Sequence, residues 1–216
     1  MSFKSIFLLL RMDLYTEWQG KVYISQGLLS IGSLLFLLYL STGEENISVP
    51  IWNSIFWFFV LFLSIHLCGR TVQEDAKYLS SLILLCSALE LLLSKIFFHW
   101  ILLFTFSLLF YLCYGFLWGY QIPQHSGLGL LILGGSTLGL STVFSWIGLM
   151  IARTQQGAIL LPTLGLPLLL PILLLCISSS ENLIYGEGND QLLILWAVLG
   201  LYIGASLLLF PYLWDE

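Results

Sequence analysis

The chain has 216 residues, 59% of them hydrophobic and only 9% charged, with 7 Lys and Arg against 12 Asp and Glu for a formal net charge of −5. Soluble domains carry about 25% charged residues, so this composition does not fit a water-soluble fold; the mean hydropathy of +0.97 points to one membrane domain filling the chain. No basic patch is present for nucleic acid.

The N-terminus comes first. Phe3, Ile6, Phe7, Leu10, Leu14 and Trp18 recur at three- and four-residue intervals, and Lys4, Arg11, Asp13 and Glu17 take other positions on the wheel. This pattern predicts an amphipathic helix lying in the membrane interface. Ile6–Leu10 is too short for the apolar core of a signal peptide and is followed at once by Arg11 and Asp13, so no cleaved leader is expected.

A spanning helix needs ~20 predominantly apolar residues. Six segments qualify, at about Val22–Ser41, Pro50–Cys68, Ile96–Trp118, Gly127–Ile151, Gly157–Ile177 and Gln191–Leu213. Trp18 and Tyr23, Trp52 and Trp57, Trp118 and Tyr120, and Tyr212 and Trp214 lie near span ends, where amphipathic rings favour the headgroup level. Residues 69–95, between spans two and three, begin with the charged run Arg70-Thr-Val-Gln-Glu74-Asp75-Ala-Lys77 and turn apolar from Leu82 to Leu93 around Glu90. That apolar stretch is too short to cross, so the whole segment is expected to stay on one side as a helical, interfacial connection.

All seven basic residues fall on the same side of this arrangement: Lys4, Arg11 and Lys21 before span one, Arg70, Lys77 and Lys95 between spans two and three, and Arg153 between spans four and five. The opposite connections hold only acids, Glu44 and Glu45 in one and Glu181, Glu187 and Asp190 in another. Because cationic loops are retained in the cytoplasm, the expected topology places both termini inside.

No catalytic constellation is visible. The span interiors are almost free of ionisable residues, unlike those of proton- or ion-coupled transporters, and there is no phosphate-binding G-x-x-x-x-G-K-[ST] loop. Any ATP hydrolysis is therefore expected from another chain. Cys68, Cys86, Cys113 and Cys176 are scattered without a C-x-x-C pair and read as small apolar side chains. His66 and His99 read as polar groups near inner span ends; His125, beside Pro123, is either an ordinary loop histidine or a ligand for haem iron. No resident metal or firmly bound cofactor is expected.

Pro162, Pro167 and Pro171 fall within span five. Each removes a backbone donor, which is compatible with a partly opened moving helix and equally with a kinked structural one. Span four carries Gly135 and Gly139 in a G-x-x-x-G among other small residues, which predicts a close-packing face and a candidate oligomer interface.

An amphipathic N-terminal helix, six spans and a charged helical connection after span two together resemble an ABC-2-type transporter permease. Within that class the chain is similar, over essentially its whole length, to the cytochrome c maturation protein B family, the haem exporter protein B. The most specific pieces are Ser94-Lys95-Ile-Phe-Phe-His99-Trp100 opening span three, Arg153 after span four, and Leu166-Pro167-Leu-Leu-Leu-Pro171 in span five. Arg70 and Asp75 fall where the family has an arginine and an Asp-Gly, with Ala76 in place of that glycine.

The resemblance implies an all-α permease of the bacterial inner membrane, in which Arg70, Glu74, Asp75 and Lys77 form a coupling helix docking on an ATPase. Lys95, His99, Trp100, Arg153, Pro167 and Pro171 are its further candidate site residues. It implies two permease copies and four partners: a CcmA-like ATPase that binds ATP, a CcmC-like haem-handling subunit, a small CcmD-like single-span subunit and a CcmE-like haem chaperone. Haem is then cargo or a partner-bound ligand. The implied function is to couple ATP hydrolysis to haem export or to release of haem-loaded chaperone; the alternative is a scaffold that assembles the complex and moves nothing. The only Trp-Asp, Trp214-Asp215, ends the chain on the inner side, so a Trp-rich outer haem motif belongs to a partner.

Overall fold

Backbone polar groups in lipid must be satisfied within the segment, and an open chain of apolar runs meets that demand only as helices. The structure, a computed structural model, describes residues 3–42, 48–118, 126–152, 157–186 and 190–214; side chains are not described for residues 3, 22, 23, 42, 70–85, 126, 157–159, 190 and 212–214. Its elements are α1 (Phe3–Gly20), α2 (Val22–Thr42), α3 (Val49–Leu85), α4 (Ala88–Trp118), α5 (Ser126–Ile151), α6 (Gly157–Tyr185) and α7 (Asp190–Trp214). No strand occurs among the described residues. Six helices, α2 to α7, are long and apolar enough to cross a membrane, matching the six expected spans.

The boundaries between spans two and three differ from expectation. Helix α3 runs unbroken for 37 residues, ~55 Å at 1.5 Å per residue, while its apolar window ends at Gly69. The charged segment is thus a direct extension of span two. The break comes only at Cys86–Ser87, and α4 starts at Ala88 instead of near Ile96. The reason is local: Glu90 reaches back to cap the start of α4, with the Ser87 amide donating to Glu90 Oε2 at 3.4 Å and Ser87 O accepting the first helical bond from Leu91 N at 3.1 Å. The stretch read as the interfacial end of the connection is therefore divided between the tail of α3 and the first turns of α4.

The corner between α1 and α2 rests on Glu17. Lys21 adopts a left-handed backbone with φ of 52°, which few non-glycine residues do. Its amide bonds Glu17 O at 2.6 Å, while the Glu17 carboxylate accepts from Ile24 N at 3.0 Å and caps the free amides opening α2.

Helix α5 occupies the centre, packed against α3, α4, α6 and α7, whereas α2 stays peripheral. The small residues of α5 explain that position. Side-chain atoms of Leu199 and Trp196, both on α7, stand where Cβ atoms would be at Gly139 and Gly135. The G-x-x-x-G face is thus consumed inside the chain by α7, which removes it as an oligomer interface. Helix α6 remains a single helix through Pro162, Pro167 and Pro171, so the proline run does not open it into two pieces. Tyr202 Oη on α7 donates to Leu168 O at 2.8 Å, which ties α7 to α6. All four cysteines are free; Cys68 and Cys176 are buried, Cys86 and Cys113 partly so.

Candidate functional site

The side chains of the Ser94–Trp100 motif reach from α4 to two other helices, α1 and α5. One turn separates Lys95 from His99, so both lie on one face of α4. Lys95 Nζ lies 3.0 Å from Asp13 Oδ2 and 3.2 Å from Asp13 Oδ1 on α1, with side-chain exposures of 6% and 15%. His99 Nδ1 is 2.7 Å from Ser145 Oγ on α5, and both residues are buried. Trp100 Nε1 donates to Gly134 O, also on α5, at 2.9 Å. Ser94 turns back on its own helix, donating to Leu91 O at 2.8 Å. The motif is a junction that ties the N-terminal helix through α4 to the central helix. Polar groups in an apolar surround are stabilised only when each finds a partner, and these are distributed so that each does.

This junction sorts the charges of α1 in a way its wheel pattern does not show. Asp13 and Glu17 face inward, where Lys95 and the free amide of Ile24 receive them, while Phe7 and Trp18 are exposed, Trp18 by 72%. Pairing a buried cation outweighs burying two rings that lipid can cover as well.

A second cluster joins α3, α4 and α6 at the other end of the bundle. Trp52 stacks on Tyr114 with ring centroids 4.8 Å apart, and Phe59 stacks on Phe110 at 3.8 Å, with Phe56 between them. Trp52, Trp57 and Trp118 are thus buried within the bundle and do not serve as headgroup anchors. Interior positions gain the offset stacking that these rings favour. Asn53 Nδ2 donates to Ile177 O at 2.8 Å and Trp57 Nε1 to Ser180 Oγ at 2.8 Å, which ties the ladder to α6. Trp52 Nε1 and Tyr114 Oη have no hydrogen-bond partner among the described residues.

Of the remaining candidates, Pro167 and Pro171 face outward from α6. Arg70, Glu74, Asp75 and Lys77 lie on the helical extension of α3, but their side chains are outside the described residues, as are Arg153 and His125. His66 is exposed and borders a groove of about 290 Å³ between α2 and α3, lined also by Ser30, Ser33 and Phe62. No group of three or more His, Cys, Asp or Glu suited to hold a metal ion occurs among the described residues. Sequence reasoning missed Asp13, Ser145, Asn53 and Ser180 as partners. For Asn53 the available signal was a single amide within an apolar span; Asp13 was one of four charges in α1, and Ser145 and Ser180 were two among many serines.

Helix content, six apolar spans and a polar junction buried at one end define an all-α polytopic membrane protein. The family model described as CcmB protein matches residues 4–213, and the chain belongs to that family. It is accordingly the membrane permease component of a haem-export ABC system for cytochrome c maturation, and not itself a catalytic enzyme. A search of curated proteins finds no match.

Proposed function

We propose that this permease couples ATP hydrolysis on a separate CcmA-like subunit to the release of haem-loaded, CcmE-like chaperone or to haem export, alongside CcmC-like and CcmD-like subunits. The observation that carries this reading is the form of α3: one helix continues from span two past its apolar window through Arg70–Lys77. A charged helical segment continuous with a span suits docking on a soluble ATPase, where complementary charge fixes register and partner. The one-sided distribution of Lys and Arg supports an inner-membrane orientation with both termini in the cytoplasm. Two permease copies complete the ABC arrangement.

Co-purification tests the docking step. The ATPase subunit is expected to travel with the wild-type chain and to be lost on Glu74→Lys/Asp75→Lys charge reversal; retained assembly removes the coupling role. Cysteine accessibility along α6 with the ATPase trapped with and without nucleotide separates coupling from scaffolding. A coupled permease changes its labelling pattern, and a scaffold does not.

A further inference from the structure

Helix α1 is sorted by charge. Facing inward are Leu10 and Leu14, packed on the core, and the acids Asp13 and Glu17. Facing outward at positions 4, 7, 8, 11, 12, 15 and 18 is a stripe at the three- and four-residue spacing of one helix face. It consists of two bases and five large apolar or aromatic residues: Phe7, Leu8, Met12, Tyr15 and Trp18, each at least half exposed, with Lys4 and Arg11 exposed among them. Lys21, at the exposed corner that follows, adds a third base. None of the three makes an ion pair among the described residues. Both acids of the helix are turned away from this face, and the Lys95–Asp13 pair holds the helix in that rotation.

We propose that the outward face of α1 is a binding surface for anionic phospholipid, with Lys4, Arg11 and Lys21 on the headgroup phosphates and the apolar residues between them entering the acyl boundary. Two observations select lipid as the occupant. Rings and aliphatic chains as exposed as Trp18 and Leu8 are favourable in the headgroup–acyl boundary and costly in water. An all-basic complement with no acid on the same face matches a negatively charged leaflet. The choice of the cytoplasmic leaflet rests on the orientation proposed above.

The full-length chain, purified in mild detergent and titrated with equal amounts of phosphatidylglycerol and phosphatidylcholine, is examined by native mass spectrometry. Phosphatidylglycerol is expected to be retained over phosphatidylcholine. Lys4→Gln/Arg11→Gln/Lys21→Gln should weaken its retention about fivefold per charge, roughly 100-fold in all, while Lys4→Arg/Arg11→Lys/Lys21→Arg keeps it. Equal retention of the two lipids by the wild-type chain, or unchanged retention by the glutamine variant, overturns the proposal. A photo-crosslinker replacing Tyr15 in cell membranes is expected to give a lipid adduct. A polypeptide adduct would assign the face to a protein partner and overturn it equally. Labelling of Lys21→Cys from the outer side of cells would overturn the leaflet and the orientation, and lipid retention in detergent, which has no sides, would still judge the face.

Discussion

Lys95 and Asp13 are 82 positions apart in the chain, yet their side chains meet at 3.0 Å with little exposure of either, and this contact sets the rotation of α1. Removing one partner strands a charge in an apolar surround. Lys95→Met or Asp13→Leu alone is expected to destabilise the detergent-solubilised protein by about 3 kcal/mol, whereas the double variant recovers most of that loss. Thermal unfolding of the four proteins in a double-mutant cycle checks this. Additive losses in the double variant would show that the two groups do not act as a pair.

The aromatic ladder holds a matched pair of tests. Tyr114 Oη is buried without a partner among the described residues, so Tyr114→Phe should be neutral or stabilise by about 1 kcal/mol. Trp57 Nε1 donates to Ser180, so Trp57→Phe should cost about 1–3 kcal/mol by leaving that hydroxyl short of a partner and losing packing. The reverse ranking in unfolding assays would contradict the hydrogen-bond assignment.

Glycines on two helices should respond in opposite directions. A Cβ at Gly139 runs into Leu199, while one at Gly200 or Gly204 meets nothing within 4 Å. Gly139→Ala is therefore expected to lower stability by about 1–3 kcal/mol through overpacking. Gly200→Ala and Gly204→Ala should be tolerated or gain a few tenths of a kcal/mol. Melting temperatures of the three single variants decide it.

Cys86 lies at the break between α3 and α4, outside the apolar windows. Partial burial and, secondarily, the Glu90 carboxylate raise its thiol above the ordinary value. Because the thiolate is the reactive form, a raised pKa leaves less of it at neutral pH. Maleimide labelling of Cys86 should be slow near pH 7 and should accelerate at higher pH than for an ordinary thiol. Glu90→Gln removes the charge but keeps a side-chain oxygen to accept from the Ser87 amide, so labelling should speed up without loss of helix. Mass-resolved labelling rates across pH 6–10 would show no difference if Glu90 had no influence.

Much of the architecture was legible because lipid narrows the choices. Six apolar runs of sufficient length became six helices, and the Ser94–Trp100 and Pro167–Pro171 stretches, with Arg153, led to the right family. Side-chain direction was legible only in part. The wheel of α1 suggested an apolar face toward membrane and charges elsewhere, but it could not show that Lys95 would draw Asp13 inward. Trp52, Trp57 and Trp118 looked like interfacial anchors because position along a span does not reveal which way a ring points. The start of α4 was missed although Ser87-Ala-Leu-Glu90 carries the capping-box spacing. The apolar composition around it masked a boundary that its polar residues define.

The continuity of α3 has a mechanical consequence. Asn53, bonded to α6, and the stacked Trp52 and Phe56 sit on the same unbroken helix as Arg70–Lys77. No break divides α3 between Val49 and Leu85, so a push on the charged end would be carried along the helix instead of being absorbed at a joint. On the proposed coupling role, work done by the ATPase on the charged end would reach the aromatic ladder and α6 through this one helix, without anything having to pass between.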